Sequence, residues 1–210
     1  EPHAAATPRE GEPGDAVSHR DLLVGDIFTN AAASVADRLA VAFQGGTMSF
    51  GQLEQRANQL ARALVDRGLR PGDRVVTLID TAVTVPALFA GAAKAGLVFA
   101  PASPGLTVDE ASEMAGAARP ALVVADTARR EIGAAAGRSL GVPVTTFDGP
   151  DGLLATSEDF ASDAYRDEGL RETDPHVLFF TSGSTVRSKG VVLSHRASVL
   201  RCHPGSQLQH

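Results

Sequence analysis

Between residues 48 and 147 the chain alternates short apolar runs with amphipathic stretches that carry their own start and stop signals. Few folds accept that rhythm. Ser49 with Gln52 three residues on forms a capping box, and Met48 and Leu53 flank it as a hydrophobic staple. Leu53, Ala57, Leu60, Ala61 and Leu64 then fall on one face of a helix, with Glu54, Arg56, Arg62 and Asp66 on the others and Gly68 as the stop. After a Pro71-Gly72-Asp73 turn the pattern predicts a strand over 74–79, a helix over 85–95 ended by Gly96, and a strand over 97–101. A second capping box, Thr107 with Glu110, opens a helix to 118. A strand over 121–125, a helix over 129–140 and a strand over 142–147 complete the series. Ahead of it stand a helix over 27–37 and two short strands, 39–43 and 47–50, around Gly45-Gly46. The expected fold is α/β, a parallel β-sheet flanked by helices on both faces.

Composition narrows the function classes. At 43% hydrophobic and 5% aromatic, with no Trp and abundant Ala and Gly, the core should be aliphatic and its helices close together. A net charge of −6 without a basic stripe gives no support for nucleic acid as a partner. One cysteine, Cys202, excludes an internal disulfide and a cysteine zinc site, and the six histidines show no H-E-x-x-H spacing. No apolar run reaches the roughly 18 residues that span a bilayer, so no transmembrane segment is expected. Residues 1–21, rich in Pro, Gly and charge, read as a flexible arm without a signal-peptide core, which makes a cytoplasmic location the default. Residues 22–198 form the folded part, and 199–210, with Pro204, an irregular tail. The acidic stretch 148–175 reads as a solvated connection holding one short helix.

The segment 179–195, FFTSGSTVRSKGVVLSH, places a hydroxyl- and glycine-rich loop with a lysine between two apolar strands. Backbone N–H groups, hydroxyls and an ammonium in that arrangement suit a polyphosphate; Ser, Thr and Gly also dominate ordinary turns. The Walker spacing fails, because Ser188 stands where its second glycine belongs and Gly190 where its hydroxyl does. The dinucleotide pattern G-x-G-x-x-G follows no predicted strand.

Thr181-Ser182-Gly183-Ser184-Thr185 followed by Lys189-Gly190-Val191 instead resembles the phosphate-binding signature of the adenylate-forming (AMP-binding) enzymes. Met48-Ser49-Phe50-Gly51-Gln52-Leu53 with Asn58, Ala61 and Leu64, Arg70-Pro71-Gly72-Asp73-Arg74-Val75, and Gly91-Ala92-Ala93-Lys94-Ala95-Gly96 with Pro101, Pro104 and Thr107 resemble that family's earlier elements in the same order, from about 27 to 198. The resemblance implies ATP-dependent activation of a carboxylic acid to an acyl-adenylate, then transfer to a thiol such as coenzyme A, with magnesium offsetting phosphate charge. It implies that Thr181, Ser182, Gly183, Ser184, Thr185 and Lys189 line the β- and γ-phosphates and that the Thr181 hydroxyl helps hold Mg2+. An acyl-CoA synthetase acting on a fatty acid is the leading expectation. The alternatives are an amino-acid adenylation domain and a degenerate, non-catalytic fragment that only binds a nucleotide or pairs with a separately encoded remainder.

The chain departs from that pattern at Val186, where the family has glycine, and at Ser188, where it has proline. A β-branched residue at a position needing positive φ is strongly disfavoured, so weakened ATP binding is expected. The resemblance covers only the N-terminal portion of such enzymes and carries no catalytic residue, and the chain is expected to be inactive alone. His195 could approach a ligand, but a first-turn position favours a structural role; Cys202 reads as inert. Lys94 reads as a helix residue with a solvated tip.

Overall fold

The computed structural model describes residues 21–181 and 189–202. The chain opens with α1 (Val24–Val35), a hairpin of β1 (Leu39–Phe43) and β2 (Gly46–Ser49), and α2 (Phe50–Asp66). There follow β3 (Arg74–Leu78), α3 (Val85–Lys94), β4 (Val98–Pro101), α4 (Val108–Ala118), β5 (Leu122–Ala125), α5 (Arg130–Leu140) and β6 (Val144–Thr146). After a short α6 (Leu153–Thr156) come β7 (Pro175–Thr181), β8 (Lys189–Ser194) and α7 (His195–Cys202).

The main sheet has six strands in the order β6-β5-β3-β4-β7-β8. All neighbours are parallel except β7 and β8, an antiparallel ribbon at the edge. The expected architecture is therefore the one observed. Successive strand residues bury to opposite faces: Leu122 and Val124 face α2 and α3, while Val123 and Ala125 face α4 and α5. Continuous apolar runs such as Leu122–Ala125 reflect this double burial.

The local signals act as read. The Ser49 hydroxyl accepts from the Gln52 N–H at 3.2 Å, and the Gln52 side chain returns a bond to the Ser49 N–H at 2.9 Å. The Thr107–Glu110 box forms likewise, and the two Thr107 bonds hold the Glu110 carboxyl below its usual range. Met48 and Leu53 pack together with Ala57 and Ala90. Small residues let α2 and α3 nearly touch: a Cβ on Gly91 would stand 2.7 Å from the Ala57 carbonyl oxygen.

Four expectations change. Lys94 has no solvated tip. It is buried, and its Nζ donates to Glu54 Oε1 and Thr29 Oγ1, both at 2.7 Å. Glu54, assigned to an outer face of α2, is buried with it, because α1 covers that side of the helix pair. The acidic connection is not simply solvated. Gln59 donates to the Glu158 and Phe160 carbonyls, and Arg62 to those of Ala161 and Asp163; Asn58 donates to that of Ser162, which fastens the segment along α2. Finally, the stretch expected to turn irregular at 199 stays helical to Cys202; 203–210 lie outside the described residues.

Candidate functional site

Because β7 runs parallel to β4, its C-terminal end lies on the same edge of the sheet as the ends of β3 to β6. Open α/β sheets bind ligands along that carboxyl edge. The facing ends of β7 and β8, Thr181 and Lys189, lie there. Its register pairs Thr181 with Lys189, Phe180 with Gly190 and Phe179 with Val191, so the two ends of the glycine- and serine-rich loop are clamped opposite each other. Of the candidate residues, the structure brings together Thr181 and Lys189, with Lys189 on the exposed surface. Ser182, Gly183, Ser184 and Thr185 lie outside the described residues, as do Val186 and Ser188. Gly190 has a packing reason to lack a side chain: a Cβ there would stand 2.8 Å from Leu178 Cδ1.

A second place on this edge is the topological switch of the sheet. The chain passes from β3 to β4 on the α3 side and returns to β5 on the α4 side, so the topological switch falls between β3 and β5. Ligands commonly enter such a crevice. Here it is occupied from within. Arg129 pairs with Asp126 and with Asp80 Oδ2 at 2.9 Å, and its Nε donates to the Pro104 carbonyl at 2.7 Å. The Asp80 N–H donates to Asp126 Oδ2 at 2.8 Å. The Thr81 N–H, with Arg129 as a lesser contributor, holds the Asp80 carboxyl below the ordinary value. Every guanidinium nitrogen of Arg129 is engaged, which leaves the loop at the ribbon tip as the stronger candidate.

Among the described residues no group of three or more His, Cys, Asp or Glu residues could hold a metal ion. Mg2+ suits such a setting when phosphates and water complete its octahedron. No helix among the described residues is long and apolar enough to cross a membrane.

Sequence reading missed one part of the neighbourhood. His176, near the start of β7, is buried, and its Nε2 lies 2.6 Å from Ser198 Oγ on α7. Its ring stacks on that of His195, 4.8 Å between centroids, with the Phe89 ring edge-on at 5.7 Å. His195, the first residue of α7, is fully buried and accepts the Val24 N–H through Nδ1 at 3.2 Å, a structural role. Burial pushes both imidazoles down to about 4, the His195 charge adding to the effect at His176 and the Asp174 and Asp26 carboxylates opposing it at His195. A histidine inside the apolar run of β7 was the signal.

Comparison with known proteins agrees with this geometry. The chain is similar to the ATP-bound MatB of Rhodopseudomonas palustris, with 33% identity and a TM-score of 0.70 over 81% of this chain and 35% of that one. It is similar to VinN, with 26% identity and a TM-score of 0.75 over 85% of this chain and 45% of that one. Among curated proteins it is 32% identical over 173 residues to a probable non-canonical nonribosomal peptide synthetase, CymA, of Salinispora arenicola (strain CNS-205), covering 80% of this chain and 2% of that protein. It is 28% identical over 182 residues to surfactin synthase subunit 1 of Bacillus subtilis (strain 168), covering 87% of this chain and 5% of that protein. The chain thus spans a small part of these synthetases and under half of each of the two solved proteins. A family model described as AMP-binding enzyme matches residues 28–207, so the chain belongs to the AMP-binding enzyme family.

Proposed function

We propose that this chain supplies the phosphate-gripping part of an enzyme that joins a carboxylic acid to the AMP portion of ATP, and that the acid is an amino acid rather than a fatty acid. The observation that carries the first half is the clamped Thr181–Lys189 ribbon tip on the carboxyl edge of the sheet, in a chain of this family. Relatives named as nonribosomal peptide synthetases, and VinN solved with 3-methylaspartate and with L-aspartate, favour an amino acid over the fatty acid that the sequence suggested.

In this reading Lys189 and the residues 181–185 hold the β- and γ-phosphates, while the paired strands fix the two ends of the loop. A carboxylate oxygen attacks the α-phosphorus, pyrophosphate leaves, and the acyl-adenylate forms. When bound, Mg2+ offsets phosphate charge, and the Thr181 hydroxyl is its candidate protein ligand. Coenzyme A, or a carrier thiol in its place, is a later acceptor that no residue of this chain is assigned to bind.

ATP titration of the chain and of Lys189→Ala tests the grip. At least tenfold weaker binding by the variant is expected, and equal affinities refute it. Substrate class is tested by ATP–pyrophosphate exchange on the full product of the gene that encodes this chain. Exchange driven by fatty acids and not by amino acids would overturn the second half of the proposal.

A further inference from the structure

The two buried histidines play no part in the phosphate chemistry, yet they join the helix after the loop to the start of the folded chain. α7 follows β8 directly, with Ser194 as its N-cap: the Ser194 hydroxyl accepts from the Ala197 N–H at 3.2 Å. Two side chains fasten it. His195 accepts the Val24 N–H, and Ser198 meets His176. Since His195 Nδ1 is an acceptor, the neutral ring carries its proton on Nε2, and that atom is buried without a partner among the described residues. Nδ1 of His176 is likewise buried and unpartnered.

We propose that the stacked His176 and His195 rings are an acid-released latch, holding α7 and the exit strand β8 to the start of α1 only while both rings are neutral. A proton on His195 Nδ1 would set a donor against the Val24 N–H donor. Protonating both rings would oppose two cations whose centroids are 4.8 Å apart, in a place that water does not reach.

The surrounding charges moderate the effect without abolishing it. From the segment before β7 come Asp174, Glu172 and Arg171. From the N-terminal side come Asp21, and Asp26 with its partner Arg166. From α7 comes Arg196, paired with Glu172. α3 contributes the Phe89 ring edge.

The sign follows from linkage. Released rings titrate near their ordinary value of about 6.5, whereas the held rings titrate at about 4. Between those values the open form binds more protons, so closure is fully favoured above pH ~6.5 and weakens as pH falls toward ~4. Lowering the pH from ~7.5 to ~5 multiplies the opening constant by roughly 30 for each ring.

Hydrogen–deuterium exchange on the 210-residue chain at pH 7.5 and 5, corrected for the intrinsic exchange rate, tests this. Amides at the start of α1 and in α7 should lose protection by at least tenfold more than those of α4 and α5. His195→Asn, whose Oδ1 keeps an acceptor for the Val24 N–H and cannot titrate, should lessen that loss. Parallel behaviour of all four helices, or an undiminished acid response in the variant, would overturn the latch. A variant that fails to fold is bypassed by NMR titration of the imidazoles in the native chain. Rings titrating near 6.5 while α7 stays protected refute the proposal; rings titrating only as α7 opens support it.

Discussion

Replacing Lys94 by Met removes one charge from a pair that the fold has taken out of water. Lys94 is 2% exposed, and its ammonium spends its three protons on Glu54 Oε1, Thr29 Oγ1 and, at 3.5 Å, the Tyr165 carbonyl. In Lys94→Met the stem packing survives, but among the described residues Glu54 Oε1 keeps only the Thr29 hydroxyl at 2.9 Å and the Asn58 amide at 3.3 Å as donors, while Oε2 has no partner there even before the change. Leaving one member of a buried ion pair unpaired costs about 3–5 kcal/mol. Against a typical net stability of about 5–15 kcal/mol, that is a large share. Removing both charges together, in Lys94→Met with Glu54→Leu, should cost less than either single change, because the desolvation of two ions is removed along with their attraction. Urea unfolding of the native chain, both single variants and the double variant closes the cycle. The expected interaction energy is at least about 3 kcal/mol with an unchanged m-value. Single variants within about 1 kcal/mol of the native chain, or simple additivity, refute the view that this pair is a buried ionic clamp.

Two further outcomes follow from the geometry. Gly91→Ala should lower stability by about 1–3 kcal/mol in urea unfolding, because the new methyl meets the backbone of α2 rather than a side chain that could swing away. Val186→Gly should tighten ATP binding in a nucleotide titration if that position needs positive φ, and unchanged affinity would show that the β-branched side chain does no harm there.

Much of the scaffold was legible because its signals are local. The boxes at Ser49 and Thr107, the stripe from Leu53 to Leu64 and the doubly buried strands each follow from a few neighbouring residues, and boundaries moved by a few positions at most. Lys94 and Glu54 were misread because periodicity sends charges to water unless something covers them, and the cover comes from α1 and from the segment at Tyr165, both distant in sequence. A lone charge amid the alanines of α3 was the available hint. The binding of the acidic connection to α2 was hidden for a similar reason: Arg62, Gln59 and Asn58 look like ordinary outer-face residues until backbone carbonyls some hundred positions later arrive beside them. At the candidate site the flanking apolar runs gave the ribbon, and the loop composition gave the phosphate reading. The His176–His195 stack requires β7 and α7 to meet, which no local pattern encodes.

Arg129 carries one more implication. A sheet of this winding offers a ready-made berth where its connections diverge, and here a side chain of the protein has moved in permanently, bringing its own two counter-charges, Asp80 and Asp126. An outside anion would have to evict a resident already neutralised on both sides. The middle of the sheet is thereby closed to a second set of charges, and the exposed Lys189 backbone position at the hairpin edge is the part of the carboxyl edge on which the proposed phosphate grip rests.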